Sequence, residues 1–595
     1  MRFKSQSTSP YQVFTVTGVN TISFGIQASE EAKRGLLGFA VERIDPTENE
    51  RYIMPGFKVF PSVVPFPTPD MSVSTWEHPI QSFVWDDFTA KPGHEYEYLF
   101  YPIKGKPKNL DRSFEPIHIR VQTEPLFGST HDIFFNRGVA SSQAYQRRFG
   151  NNPPDKQPTE EKKKDALQWL TRDLDDAVLQ FIKSAQQGDV LLGCFYEFRY
   201  LPVAQELQAA IERGVVVRLI IDAKINEHTD ADGIFHESFP REDNLRMLAT
   251  AGIPAENVTL RQAKPNNIQH NKFIVLARGG NPAEVWTGST NISLGGFSGQ
   301  TNVGHWVRDA EVASQFVAYW QLMKTDPGAV AGLSRSEALK ANRALQAAVA
   351  TLHEIPTTVD MILPGTTAVF SPRAGLDILN LYVRLVDSAK ACSCITLAFG
   401  INDSFKQELL DNTGISHIVF MLLEKRDRAN SRSKAPFVPL TPSNNVYQAW
   451  GSYIKDPVYQ WARETNAQLL KVNSHVVYVH SKFLLMDPLG DDPIVVTGSA
   501  NFSKASTNNN DENMLLIRGD QRVADIYFTE FNRLFNHYYF RSITEMLKNR
   551  GRAGGSEASL FLSEKAEEWL RKYEPGKLKM KRLQLFTQMQ GAKTL

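Results

Sequence analysis

Cysteine is scarce. Cys194, Cys392 and Cys394 are the three in 595 residues, too few for a disulfide framework or, alone, a four-thiolate zinc site. Cys392 and Cys394 flank one residue in an apolar run and read as buried strand positions, which suits a reducing compartment. Charge of one sign is also missing: 66 Lys and Arg stand against 65 Asp and Glu, a net of +1. A chain that holds nucleic acid by bulk attraction is more basic than this, so that class is left with a local groove. No apolar run reaches the ~18 residues of a membrane span, and Met1–Ser7 has no signal-peptide apolar core. A cytoplasmic location is expected, with attachment to a membrane surface and export by another route left open. At 42% hydrophobic and 22% charged residues, the chain is not disordered, collagen-like or coiled-coil.

What is present falls into four expected segments. Residues 1–125 read as a β-sandwich: Tyr11–Ile26 alternates, and short strands follow near Gly38–Arg43, Phe57–Val64, Ile80–Trp85, Tyr96–Pro102 and Ile117–Val121, separated by turn residues. The run Phe83–Tyr98 resembles the strand–turn–strand of a fibronectin type III-like domain, which implies an accessory role. From Leu126 the pattern becomes α/β. Asp165–Gln187 is expected as one helix, Asp189–Tyr196 as a strand, Leu201–Arg213 as a helix, and Val215–Asp222 as a strand buried on both faces. The same order returns with helix Leu376–Lys390 and strands Ala391–Phe399 and Gly414–Glu424. A duplication at this period means two similar lobes, not a solenoid: 126–350 and 351–545, with Ala329–Glu354 as a helical connector. Residues 546–595 are expected as a helical basic tail, packed on the body of the protein.

Two segments carry the chemistry. His270-Asn-Lys272 is followed by Gly288-Ser289-Thr-Asn291, and His480-Ser-Lys482 by Gly498-Ser499-Ala-Asn501. In each, Asn lies 21 residues after His. On a strand, residues i and i+2 share a face, so each motif points an imidazole and an ammonium the same way. The Gly-Ser-x-Asn turn adds a hydroxyl, an amide and backbone N–H groups. Two such half-sites facing each other suit a phosphodiester: cations neutralise its non-bridging oxygens, one His attacks and the other protonates the leaving oxygen. The lysines supply the charge stabilisation, so no metal and no cofactor is expected.

Each His needs a group to orient its second ring nitrogen. Glu512 lies 32 residues after His480, and Asn302 lies 32 after His270. Paired within each lobe, the carboxylate would raise the His480 pKa relative to His270 and make His480 the general acid.

The motif pair resembles the phospholipase D superfamily over roughly residues 126–545. The resemblance implies that both lobes line one active site and that the reaction runs through a covalent phosphohistidine. It implies His270 as nucleophile, His480 as acid/base, and Lys272, Lys482, Asn291 and Asn501 as phosphate ligands, with Ser289 and Ser499 nearby. The motif aspartate is present as Asp487, also counted among the substrate-binding candidates. Ala277 stands at the matching position of the first lobe, which is thereby closer to the His-Lys-Asn version of tyrosyl-DNA phosphodiesterases.

The expected function is metal-independent hydrolysis or transphosphatidylation of phospholipids by a catalytic monomer working at a membrane surface. A DNA or RNA nuclease of the same superfamily is the second reading, and a non-catalytic phosphate-binding protein the third. The basic stretch Lys425–Lys434 is a candidate lid. His305, Arg137 and Arg373 are each weighed as pocket or packing residues.

Overall fold

The structure, a computed structural model, describes residues 1–7, 10–68, 71–138, 145, 148–150, 152, 154–412, 417–429, 437–451, 478–549 and 560–594. Two α/β lobes carry the same sheet. In the first the strands along the chain are His131–Phe135, Val190–Phe195, Val216–Asp222, Val258–Arg261, Lys272–Arg278, Asn281–Gly288 and Val303–Val307. In the second they are Gly365–Ser371, Cys392–Leu397, Ile418–Leu423, Val446–Trp450, Phe483–Met486, Ile494–Gly498 and Glu512–Arg518. Numbered one to seven within each lobe, both sheets have the order 1-7-6-5-2-3-4. Strands two, three and four run parallel. Their unbroken apolar runs follow from helices or the other lobe covering both faces. Strand five runs antiparallel to strand two, so the start of each His-x-Lys strand lies beside the carboxyl end of strand two.

The lobes share one core. Phe135, Phe273 and Phe316 of the first pack in a single apolar cluster with Phe370, Phe483 and Tyr527 of the second. Helix Ala310–Lys324, capped by the Asp309 carboxylate, and helix Gln521–Asn549 supply much of it. Each aromatic ring fully buried there contributes about 1.5–3 kcal/mol. The connector forms helix Arg335–Ala350, started by a capping box of Ser334 and Glu337.

The stretch expected as one helix over 165–187 is two: Glu160–Thr171 and Leu174–Lys183. The break is at Arg172, which takes φ +55° and places its buried guanidinium 2.8 Å from Glu530. A tertiary ion pair overrides the apolar spacing that ran on through it. The helix Gln521–Asn549 likewise continues across the expected boundary at 545.

The N-terminal residues form two antiparallel sheets around one apolar cluster, with Val13, Phe24 and Ile26 on one side and Phe39, Tyr98 and Phe100 on the other. The tail completes this unit. Trp569, Tyr573 and Leu583 enter the same cluster, and Lys593–Thr594 pairs in parallel with Arg2–Lys4. Its described part holds the short helices Ala566–Leu570 and Leu578–Thr587. Among the described residues no helix is long and apolar enough to cross a membrane.

Candidate functional site

Each His-x-Lys motif opens strand five of its lobe, and each Gly-Ser-x-Asn turn follows strand six. The glycines of these turns are obligatory. Gly288 has φ +136° and a Cβ there would lie 2.2 Å from the Val303 carbonyl oxygen; at Gly498 the clash is with the Asn513 carbonyl at 2.3 Å. Each turn is thereby pressed against strand seven, whose start carries Asn302 in one lobe and Glu512 in the other.

The lobes then exchange these segments. Gln269 bridges to Asp511, and Thr301 to Val479. The His270 amide donates to the Asp511 carbonyl at 2.9 Å, and the Thr301 amide to the Tyr478 carbonyl at 2.9 Å. As a result the histidine partners cross. His270 Nδ1 lies 2.9 Å from Glu512 Oε2, and His480 Nδ1 lies 2.9 Å from Asn302 Oδ1. The pairing of Glu512 with His480 expected from equal spacing is therefore corrected. Spacing of 32 within each lobe is the same whether the partner is in cis or in trans, and the pseudo-twofold axis makes it trans.

The acceptors are themselves fixed. Asn302 Nδ2 donates to the Gly296 carbonyl at 2.8 Å while its Oδ1 accepts from Ser289 Oγ at 2.9 Å. That amide orientation makes His480 Nδ1 the protonated nitrogen and frees its Nε2 for chemistry. Ser499 Oγ donates to Glu512 Oε2 at 2.7 Å. Ser289 and Ser499, expected near the phosphate, thus spend their hydroxyls on orienting Asn302 and Glu512.

Lys272 and Lys482 are both buried beside the two histidines, each ammonium held by the carbonyl of its own motif histidine, His270 or His480. Burial pushes the Lys272 ammonium down to about 8, and Lys482 falls well below the ordinary lysine value through burial and the Lys272 charge. Burial with the two lysine charges also holds His270 and His480 well below the usual imidazole range. Burial pushes the Glu512 carboxyl up to about 8, opposed by Lys272 and Lys482. Two buried ammoniums next to two imidazoles are chemically suited to hold an anion.

Asn291 Nδ2 donates to Glu197 Oε1 at 2.8 Å. The Oδ1 atoms of Asn291 and Asn501 are both buried without a partner among the described residues. Glu197 also holds Arg199 at 2.8 Å, and Tyr196 packs its ring 5.1 Å from that of His270. Sequence reasoning missed Tyr196 and Glu197. The available signal was the break in symmetry directly after strand two, where the second lobe has Ala398 and Phe399.

Asp487 is corrected out of the pocket. It ends strand five at the far edge and accepts from the amides of Lys390 at 2.8 Å, Ala391 at 2.8 Å and Cys392 at 3.1 Å. In the first lobe the carboxylate has moved to the neighbouring strand: Asp189 accepts from the Gly279 amide at 3.0 Å and meets Arg278 at 3.1 Å. Ala277 therefore leaves that corner braced. His305 is a core residue, bonded to His131 at 2.9 Å and to Tyr527 at 3.2 Å. Arg137 stacks on Trp169 at 4.5 Å, and Arg373 donates to the Phe370 carbonyl at 2.9 Å. Of the basic stretch, Arg432 and Lys434 lie outside the described residues.

The family model described as "Cardiolipin synthase, PLD-like domain" matches residues 178–323 and 341–535. The chain belongs to the phospholipase D-like family. The two matched stretches of this phospholipase D-like chain carry both His-x-Lys motifs, Asn302 and Glu512. Among solved structures it is similar to phosphatidylserine synthase of Haemophilus influenzae Rd KW20, with 13% identity and a TM-score of 0.42 over 66% of this chain and 94% of that one. It is also similar to Nuc, a phospholipase D family member from Salmonella typhimurium, with 24% identity and a TM-score of 0.20 over 26% and 87%. Yeast tyrosyl-DNA phosphodiesterase gives 11% identity and a TM-score of 0.28 over 56% and 83%. No curated protein matches the chain.

Proposed function

We propose that this chain is a metal-independent phosphodiesterase that cleaves phospholipid phosphodiesters, by hydrolysis or by transfer to an alcohol. One observation carries the reading: two histidines in one buried pocket, each with Nδ1 tied to a separate acceptor from the other lobe, beside two buried lysines.

In the first step His270 Nε2 attacks phosphorus. The N–P bond forms, the bond to the leaving oxygen breaks, and that oxygen takes the proton from His480 Nε2. The ring of the phosphohistidine is then cationic, and Glu512 accepts its Nδ1–H. In the second step a water or alcohol oxygen attacks phosphorus, His480 Nε2 takes its proton, and the N–P bond breaks. Lys272, Lys482 and the amides of Asn291 and Asn501 hold the non-bridging oxygens. Glu512 lies beside His270 and not His480, so the raised His480 pKa expected from pairing within the lobe no longer supports His480 as the acid. The carboxylate supports His270 as nucleophile instead, because it stabilises the cationic intermediate.

The N-terminal two-sheet unit is read as an accessory β-sandwich of fibronectin type III-like form. A nuclease of the same chemistry is the second reading, favoured by the exposed Lys425, Arg426 and Arg428 that follow strand three of the second lobe.

The test is a competition in EDTA: phospholipid vesicles with ethanol, and plasmid DNA, in one tube, with His480→Ala as control. Phosphatidylethanol with intact plasmid is expected. Nicked plasmid with intact lipid moves the protein to the nucleases, and no turnover on either removes the enzymatic reading.

A further inference from the structure

The His-x-Lys motifs lie beside the carboxyl ends of strand two in each lobe, and in the first lobe an exposed hairpin follows the carboxyl end of the neighbouring strand three. Its strands His228–Thr229 and Phe235–His236 pair in antiparallel register. The base is built: Asn226 Nδ2 donates to the Phe239 carbonyl at 2.7 Å, the Phe239 amide returns to Asn226 Oδ1 at 2.9 Å, and Ser238 Oγ accepts from the Asn226 amide at 2.9 Å. The tip is built as well, with Asp230 Oδ1 accepting from the Ile234 amide at 2.9 Å. Such a hairpin presents side chains at fixed places.

What it presents is apolar. Ile225, Ile234 and Phe235 are 60%, 57% and 61% exposed. Exposed apolar side chains are ordinary when scattered, but three on one short, internally bonded hairpin beside the candidate site suit an interaction surface. The hairpin is continuous with the candidate site: Arg199 lies over the Phe239 ring at 5.3 Å and is bonded to Glu197, which holds Asn291. The second-lobe counterpart of Glu197 is Phe399, 65% exposed.

Charge selects the partner. Residues 223–240 hold Glu227, Asp230, Asp232 and Glu237 against Lys224 as the one Lys or Arg. Lys224 is turned inward to the Asn267 carbonyl at 3.0 Å, and Arg246 of the next helix meets Glu237 at 3.2 Å. The hairpin face is acidic, which repels a polyanion. The matching rim in the second lobe, the loop after its strand three, has the exposed cations Lys425, Arg426 and Arg428. A zwitterionic headgroup layer offers an ammonium to the first rim and a phosphate to the second, with hydrocarbon beneath for the apolar tips.

We infer that the 223–240 hairpin, with the exposed Phe399 of the second lobe, is the surface by which this protein docks on a zwitterionic phospholipid layer. The inference rests on the lipid phosphodiesterase reading and adds the element that engages the interface.

The test is cosedimentation with phosphatidylcholine vesicles, comparing the full chain with its Ile234→Ser/Phe235→Ser variant. Both positions are exposed, so the fold does not depend on them. Binding is expected to fall about tenfold or more, with turnover of vesicle lipid falling in step and turnover of soluble bis(p-nitrophenyl) phosphate unchanged. As a second measurement, Phe235→Trp is expected to add a blue-shifted fluorescence component when the vesicles are added. Equal binding by wild type and double variant, or no fluorescence change, overturns the docking assignment. Tighter binding to phosphatidylglycerol vesicles than to phosphatidylcholine overturns the charge argument. Absence of turnover of the soluble diester by the wild type sinks the phosphodiesterase reading instead, and vesicle binding is still measured without it.

Discussion

His270 Nδ1 and Glu512 Oε2 are 2.9 Å apart although they belong to different lobes and are 242 residues apart in the chain. The mirror relationship joins His480 to Asn302, with a neutral amide in place of the carboxylate. Neither half-site is complete within its own lobe. A charged partner on one side and a neutral one on the other distinguish the surroundings of two otherwise equivalent histidines, and in the proposed mechanism this separates their roles.

Glu512→Gln tests that separation. The amide keeps a hydrogen-bond acceptor for Nδ1 but removes the charge that balances a cationic phosphohistidine. Formation of the phosphoenzyme is expected to slow by about 10²–10⁴-fold, read in single turnover with rapid quench. The trapped phosphate is expected on His270. Its recovery on His480 would reverse the roles.

Much of this was legible in the sequence. The duplicated strand order, the two motifs at equal spacing and the presence of Asn302 and Glu512 as orienting groups all follow from residue type and periodicity. What spacing left undetermined is pairing across the pseudo-twofold axis, because a repeat has the same internal distances in either lobe. The break at Arg172 was hidden for a related reason: its cause, Glu530, is 358 residues away. Asp487 carried the motif's name but no pocket role, since strand direction puts it at the end of strand five opposite His480. Glu197 gave no signal beyond the mismatch with Phe399.

The buried groups set a pH window. The productive arrangement needs three protons on the set: one on His270 Nδ1, two on His480, none on Glu512. The same number is bound when Glu512 is protonated and both imidazoles are neutral, so the pocket titrates as a unit. This population is lost upward as Glu512 and Lys272 deprotonate, each at about 8, and as Lys482, held well below the ordinary lysine value, loses its charge. Downward it is lost where the histidines gain further protons, well below the usual imidazole range. A plot of kcat/KM against pH is expected to be flat through neutrality, with a basic limb near 8 and an acid limb well under the ordinary histidine value. A basic limb that stays in place in Glu512→Gln would assign it to the lysines, Lys272 or Lys482.

The lysines are asked to do what a metal does elsewhere. Lys482→Ala is expected to cost about 10²–10³-fold in rate, and Lys272→Ala a similar factor. Wild-type activity is expected to be unchanged in EDTA. A rate that collapses in EDTA and returns with a divalent cation would remove the lysines from the central role.

Support for the crossed pairing comes from Arg261, which is fully buried. Its Nε meets Asp511 Oδ2 at 3.0 Å and its Nη1 meets Asp326. Asp511 precedes Glu512, and its carbonyl receives the His270 amide. Asp326 also accepts from the amides of Gln262 at 2.9 Å and Ala263 at 3.1 Å. Arg261→Met would leave two carboxylates buried near each other, with Lys264, 3.2 Å from Asp511 Oδ1, as the remaining cation. Removing one partner of a buried ion pair costs about 3–5 kcal/mol, so the urea midpoint is expected to fall sharply. Arg261→Lys keeps the charge but loses the fork that reaches both carboxylates, and an intermediate loss is expected. Because that variant retains the fold, its phosphoenzyme formation rate reads the second effect: slower formation at unchanged KM would follow from a loosened Glu512. A wild-type rate in Arg261→Lys would confine Arg261 to stability.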